Sequence, residues 1–207
     1  MITDRTFHTE QENFWAGEFG DGYIDRNAAE QLLVSNTALF ADVLRRTSTV
    51  SSVVEFGSNI GMNLHAIRRL LPDADYHAIE INHKAASKLR DSGFVNVVED
   101  SILTCTPPKC DLAFIKGVLI HIDPSQLQAV YDRLYQAGSK YVCVIEYYNP
   151  TPVELNYRGH SGKLFKRDFA GEMLDQFDDL QLVDYGFVYR RDRFPQDDLT
   201  WFLMEKR

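Results

Sequence analysis

The chain has 207 residues, of which 44% are hydrophobic and 25% charged, with a formal charge of −8 at pH 7. That length and balance describe one globular domain with a full-sized core, and the acidic excess disfavours a sequence-independent grip on nucleic acid, which needs a basic surface. Cys105, Cys110 and Cys143 form no C-x-x-C pair, and no His/Cys/Asp cluster has metal-ligand spacing, so neither a disulfide frame nor a metal site is expected. No apolar run approaches the roughly 18 residues of a membrane span. The polar start (Thr3, Asp4, Arg5, His8, Glu10) does not read as a signal peptide, and a cytoplasmic location is expected.

In chain order, residues 1–25 are polar but carry Phe7, Phe14, Trp15, Phe19 and Tyr23, while Gly17, Gly20 and Gly22 break any long helix. Such a segment cannot make a core alone. It is expected to lie over the mouth of the main domain as a lid, with Trp15 and Tyr23 covering a ligand. Residues 27–46 repeat apolar positions at helical spacing, and Arg26 stands at their start, where a ligand carboxylate would need a cation. Strands follow at 52–56, 75–81, 95–99, 111–116 and 140–147, and helices at 62–71, 83–91, 124–137 and 167–177. This alternation predicts an α/β fold with a mostly parallel sheet covered on both faces. Ligands of such sheets bind beyond the strand C-termini. Residues 181–189 and 200–205 read as two further strands, a terminal antiparallel hairpin around the polar loop 190–199, which makes seven.

The richest stretch is Val53-Val54-Glu55-Phe56-Gly57-Ser58-Asn59-Ile60-Gly61-Met62-Asn63, a buried strand, a glycine turn and a helix start. Glu55 lies in an apolar run and must be met by donors or serve a ligand. Gly57 and Gly61 permit positive φ and close backbone approach, and the helix aims its free N–H groups into the same crevice. The turn reads G-x-x-x-G, with Asn59 where a dinucleotide site carries a middle glycine, which disfavours an NAD-linked enzyme. Glu80, with Ile81 after it, follows Gly61 at about the separation where an acid meets a ribose diol. Together these suggest an adenosine-containing ligand without a diphosphate, and S-adenosylmethionine fits.

Glu55-x-Gly57-x-x-x-Gly61 followed by Glu80 resembles the first two motifs of the class I S-adenosylmethionine-dependent methyltransferases. The resemblance implies a Rossmann-like fold and a single domain over 1–207, with 1–46 as lid and helix and 47–207 as core. It implies that the turn, including Ser58 and Asn59, passes the methionyl arm and that Glu80 holds the ribose. It further implies that Asp100 accepts from the adenine amino group, with Ser101 and Ile102 offering backbone beside the ring. Lys116, Gly117 and Leu119 would border the cofactor. His121 would face the substrate as a general base, or a tyrosine such as Tyr148 would take that role.

Residues 146–168 carry Arg158, His160, Lys163, Lys166 and Arg167 with Tyr147 and Tyr157, and two prolines and two glycines. They read as a structured basic loop. Beyond a strand C-terminus, such a loop suits a clamp on an anionic substrate, with Tyr147, Tyr157, Arg158, His160 and Lys163 as its contacts. This loop, Lys116-Gly117-Val118-Leu119-Ile120-His121-Ile122, and Phe14-Trp15-Ala16-Gly17-Glu18-Phe19-Gly20 with Tyr23 together resemble the pseudaminic acid biosynthesis-associated methyltransferases over nearly the whole chain. That resemblance implies a small-molecule methyltransferase tied to nonulosonic-acid or surface-glycan biosynthesis, or to secondary metabolism, and with the basic loop it points to O- or N-methylation of a small, anionic sugar or amino-acid-like acceptor. The other reading of the same features is a non-catalytic relative that binds a nucleoside or glycan intermediate.

Overall fold

The structure, a computed structural model, describes residue 7 and residues 9–24, 30–157 and 159–207. Helices α1 (Glu10–Ala16), α2 (Glu18–Ile24) and α3 (Glu30–Leu44) precede a repeating unit of β1 (Ser52–Phe56), α4 (Met62–Leu70), β2 (Asp75–Glu80), α5 (His83–Asp91) and β3 (Val95–Glu99). The chain continues through β4 (Cys110–Lys116), α6 (Leu127–Ala137), β5 (Gly138–Glu146), β6 (Val153–Tyr157), β7 (His160–Lys166), α7 (Phe169–Gln176), β8 (Leu180–Val188) and β9 (Leu199–Lys206).

The seven-stranded sheet has the order β3-β2-β1-β4-β5-β9-β8, with β6 and β7 forming a separate pair. Strands β1 to β5 pair in parallel, and β9 runs antiparallel to both β5 and β8. Alternate side chains of the central strands point to opposite faces. Val53, Phe114, Cys143 and Ile145 meet Leu39, Phe40 and Val43 of α3, with Leu64 and Ile67 of α4, on one face. Val54, Phe56, Ile115, Val142 and Val144 meet Val130 and Leu134 of α6 and Met173 of α7 on the other. Both faces are dry, which is why these strands read as nearly continuous apolar runs.

Two expectations need correction. The stretch after β5 is not a loop throughout, because β6 and β7 form an antiparallel hairpin. Gly159 takes φ of 88° at its bend and Gly162 takes 65° inside β7, and Pro150 and Pro152 fall before its first strand. Strand β6 does alternate apolar and polar residues, Val153, Leu155 and Tyr157 against Glu154 and Asn156, but the prolines before it and the glycines after it read as loop, and it is exposed almost along its length. In the amino-terminal segment, Gly17 ends α1, but Gly20 and Gly22 lie inside α2. A Cβ on Gly20 would stand 1.9 Å from the Trp15 carbonyl oxygen, so this glycine lets α2 fold back against α1.

Candidate functional site

The order of strand addition switches between β1 and β4, which are parallel: β2 and β3 extend the sheet to one side, β4 and β5 to the other. A cleft of about 660 Å³ opens there, beyond the strand C-termini, where open α/β sheets bind ligands. Its floor is the turn after β1. Gly57 and Gly61 take φ of 74° and 78°, and Asn59 takes 49°. Asparagine is among the few residues that visit this region readily, so it stands in for a middle glycine without breaking the turn. A Cβ on Gly57 would lie 2.6 Å from Val118 Cγ2, and one on Gly61 would lie 2.4 Å from Leu89 Cδ1.

Glu80 ends β2, is 7% exposed and lines the cleft. Its Oε2 accepts the Asn59 N–H at 2.6 Å and its Oε1 accepts the Asn82 N–H at 2.7 Å. Burial raises its pKa despite these donors. One acid thus ties the glycine turn to the start of α5. Each oxygen keeps further acceptor capacity, so a vicinal diol can add to the arrangement. Ile81, Asn82, Ser101, Ile102 and Leu103 continue this end of the cleft.

Helices α1 and α2 roof it. Thr9 and Glu12 make a reciprocal capping box at the start of α1. The Ser101 hydroxyl donates to Glu12, Asn82 Nδ2 donates to Asp21 Oδ1 at 3.0 Å, and Lys84 pairs with Asp21. Trp15 packs on His121 at 4.8 Å and on Tyr23 at 5.3 Å, with all three lining the cleft. Tyr157 of the hairpin closes on His121 from the far side at 4.9 Å.

His121 donates from Nδ1 to the Lys163 carbonyl at 2.6 Å, since a carbonyl can only accept. Its Nε2 then carries a lone pair. Burial pushes its pKa down to about 4, so the ring is neutral at pH 7.

The other end of the cleft is polar. Lys116 ends β4 there, with Asn36 of α3, Asn63 of α4, Tyr147 after β5, and Arg190, Gln196 and Asp197 of the β8–β9 loop. Gln196 Nε2 donates to Asn36 Oδ1 at 3.0 Å, and the Tyr147 hydroxyl donates to Asp197. Behind this wall lie two buried acids. Glu55 is 1% exposed, accepts from Asn63 Nδ2 at 2.6 Å, and its pKa is pushed by burial to about 8. Glu146 is 2% exposed, accepts the N–H groups of Val118 and Leu119 at 2.8 Å each, and is likewise raised by burial to about 8.

Several sequence assignments move. Tyr148 is 43% exposed and packs on Phe202 outside the cleft. Side chains alternate on an extended chain, so Tyr147 facing the cleft sends Tyr148 away. Glu55, Gly61 and Leu119 support the wall from behind and do not line it. Asp100 turns back to accept its neighbour's N–H, from Ser101 at 2.8 Å, and does not line the cleft. The basic clamp is largely spent on the protein itself. Lys163 pairs with Glu10 at 3.2 Å, Lys166 lies over the Tyr147 ring at 4.6 Å, and Arg167 pairs with Glu172 at 2.6 Å. Hairpin and lid brace each other, since Gln11 also donates to the Gly162 carbonyl at 3.1 Å. Arg26, Arg158 and the side chain of His160 lie outside the described residues. Tyr148→Phe should therefore leave cofactor-product affinity unchanged in calorimetry, whereas a tenfold loss would return Tyr148 to the site.

Sequence reasoning missed Glu12, Asn82 and Glu146, though signals existed. Thr9-x-x-Glu12 is a capping-box spacing, and Asn82 immediately precedes a helix. Glu146, like Glu55, is an acid closing an apolar strand. Asn36, Gln196 and Asp197 had no such mark.

This fold is that of the class I S-adenosylmethionine-dependent methyltransferases. No family model matches the chain, and no curated protein matches it. Among solved structures it is similar to a SAM-dependent methyltransferase from Leishmania major, at 15% identity and TM-score 0.67, over 96% of this chain and 82% of that one. A magnesium protoporphyrin IX methyltransferase from Synechocystis with bound SAH matches at 11% identity and TM-score 0.67, over 95% of this chain and 97% of that one. A 1,6-didemethyltoxoflavin-N1-methyltransferase from Burkholderia thailandensis, with that substrate and S-adenosylhomocysteine bound, matches at 13% identity and TM-score 0.68, over 99% of this chain and 93% of that one.

Proposed function

We propose that the protein is an S-adenosylmethionine-dependent methyltransferase acting on a small polar molecule. The observation that carries this is Glu80, a buried acid at the end of β2, presented to the cleft beside a glycine turn that it holds through the Asn59 N–H. The adenosine lies along Glu80, Ile81, Asn82, Ser101 and Ile102, and the methionyl arm crosses Gly57–Asn59 toward Lys116. Trp15 and Tyr23 cover it, and the similar solved proteins crystallised with SAH or SAM support the assignment.

The acceptor enters between Tyr157, His121 and the polar end of the cleft. A sugar or amino-acid-like acid of the kind found in nonulosonic-acid or surface-glycan chemistry suits the amides and hydroxyl there, with Lys116 facing it and Arg190 held nearby on Asp198 at 3.6 Å. Methyl transfer is an in-line displacement on a sulfonium, so alignment of nucleophile, methyl and sulfur supplies much of the rate. His121, neutral with Nε2 unprotonated, orients the acceptor by accepting a hydrogen bond. With a pKa of about 4 it is a weak proton acceptor.

Calorimetric titration with S-adenosylhomocysteine should give a single site, and absence of heat at high micromolar ligand would count decisively against the reading. Glu80→Ala should weaken that binding by roughly 10- to 100-fold, since hydrogen bonds to a charged group contribute about 1.5–3 kcal/mol. An unchanged affinity would place the ribose elsewhere.

A further inference from the structure

We propose that a second copy of this chain pairs antiparallel along the far half of β8, with Phe187 facing its own counterpart across a two-fold axis. This pairing is independent of the methyl-transfer reading. Strand β8 is the last in the sheet, so one side of its backbone meets no strand among the described residues. Such an edge invites pairing unless it is blunted. Its first half is blunted. Val183 bulges out of register with β9 between Leu182 and Asp184, and Asp184 accepts the Tyr185 N–H at 2.9 Å and pairs with Arg46 at 2.7 Å. Its second half carries no such device. The Arg190 N–H turns inward to Asp198 Oδ1 at 2.9 Å, so alternation points the backbone groups of Gly186 and Val188 at β9 and those of Phe187 outward. Tyr185, Phe187 and Tyr189 are 63%, 59% and 42% exposed, and they share one face with Phe202, on which Tyr185 and Tyr148 pack.

The strand itself identifies the occupant. Asp184-Tyr185-Gly186-Phe187-Val188-Tyr189-Arg190 is self-complementary about Phe187. Antiparallel pairing on that centre sets Tyr185 against the copy's Tyr189, Phe187 against itself, and Asp184 against Arg190. Aromatic residues directly across a strand pair attract, as do opposite charges. The backbone fits the same register. Phe187 exchanges both of its outward groups with the copy. The Tyr185 N–H is already taken by Asp184, and the Tyr189 carbonyl by the Asp192 N–H at 3.0 Å. That leaves the Tyr189 N–H to donate to the copy's Tyr185 carbonyl. An unrelated extended peptide would satisfy the backbone but would match the aromatics and the charged ends only by chance. The bulge at Val183 and the turn after Tyr189 stop the pairing at both ends, so the assembly closes as a dimer. The contact is short, which predicts a reversible pair and not a permanent one. Arg190 also lines the polar end of the cleft, so each copy's Asp184 comes to the rim of the other's site.

Sedimentation equilibrium of the full chain tests this. The apparent mass should rise with concentration from that of one chain toward twice that value and no further. A mass that stays at one chain into the high micromolar range overturns the proposal, and so does growth beyond two chains. In amide hydrogen exchange, the Phe187 and Tyr189 N–H groups should exchange more slowly as concentration rises, and exchange independent of concentration also overturns it. Phe187→Lys and Phe187→Glu each set like charges against each other at the axis, and each should weaken association at least about tenfold. The fold, read by circular dichroism, should not change, because this side chain is exposed. An equal mixture of the two variants should associate again, since a lysine then faces a glutamate. A wild-type dimer that tolerates either charge undiminished, or variants that stay apart when mixed, places the contact elsewhere and overturns the proposal.

Discussion

Gly57→Ala is expected to lower affinity for S-adenosylhomocysteine by on the order of 100-fold, about 2.7 kcal/mol, and to destabilise the protein as well. Two costs add. The residue must hold φ of 74°, a left-handed conformation costing an L-residue roughly 1–2 kcal/mol. Its new methyl group would also stand 2.6 Å from Val118 Cγ2, so Val118 must move. Val118 cannot move alone, because its N–H is held by Glu146 at 2.8 Å, and the same short loop carries Lys116 and His121. The damage therefore reaches the cleft. Gly93→Ala is the control: φ there is 72°, but an added Cβ meets nothing within 4 Å. It should cost the same backbone strain, a fall in Tm of about 2–4 °C per kcal/mol for a chain of this size, with binding unchanged. If both variants lose affinity equally, backbone strain alone explains the effect and the loop contact does not matter.

The second large effect concerns pH. Glu55 and Glu146 have folded-state pKa values raised by burial from an ordinary 4.5 to about 8. Between those limits the native state binds more protons than the unfolded chain, so stability falls as pH rises from about 4.5 to about 8. A pKa displaced by one pH unit corresponds to about 1.4 kcal/mol, so the two groups together contribute on the order of several kcal/mol. Glu55→Gln and Glu146→Gln remove the ionisation while keeping the acceptor oxygens that Asn63, Val118 and Leu119 use. Each variant should flatten the decline in urea-unfolding stability between pH 5 and 8, and the double variant should nearly abolish it. Lys116 acts in the opposite sense at higher pH, because a lysine with a lowered folded-state pKa gains stability as pH rises toward its ordinary 10.5. Wild-type stability that stays level from pH 5 to 8 would mean that these carboxylates are ionised in the native state at little cost.

The two predictions share a feature of the fold. The loop after β4 is fixed from three directions: Glu146 holds its backbone, Gly57 leaves room for Val118, and the Lys163 carbonyl orients His121. A small change at any of these points is transmitted to the cleft because the loop has no slack. The lid is held by the Ser101–Glu12 contact, by Asn82 and Lys84 on Asp21, by Gln11 on the Gly162 carbonyl and by Lys163 on Glu10, of which the surface ion pairs are worth less than about 1 kcal/mol each.

Residue order alone was enough to write down the sheet, the turn and the acid beyond the second strand. Val53, Val54 and Phe56 must be buried, Gly57 and Gly61 must turn, and Glu80 must stand at a strand mouth, because each rests on local chemistry that periodicity and residue type express directly. The terminal antiparallel pair was legible in the same way. Which side chains share the cleft emerged only from the folded chain. Tyr147 and Tyr148 are chemically alike, and one peptide unit of strand alternation puts the first in the cleft and the second outside. The cations after β5 looked like a substrate clamp, but Glu10, Tyr147 and Glu172, brought close by folding, take up Lys163, Lys166 and Arg167. Glu55 and Glu146, 91 positions apart by their numbers, flank one lysine because β1, β4 and β5 are neighbours in the sheet. Such partnerships depend on strand order and side-chain direction, which are settled by long-range packing and leave no trace in local spacing.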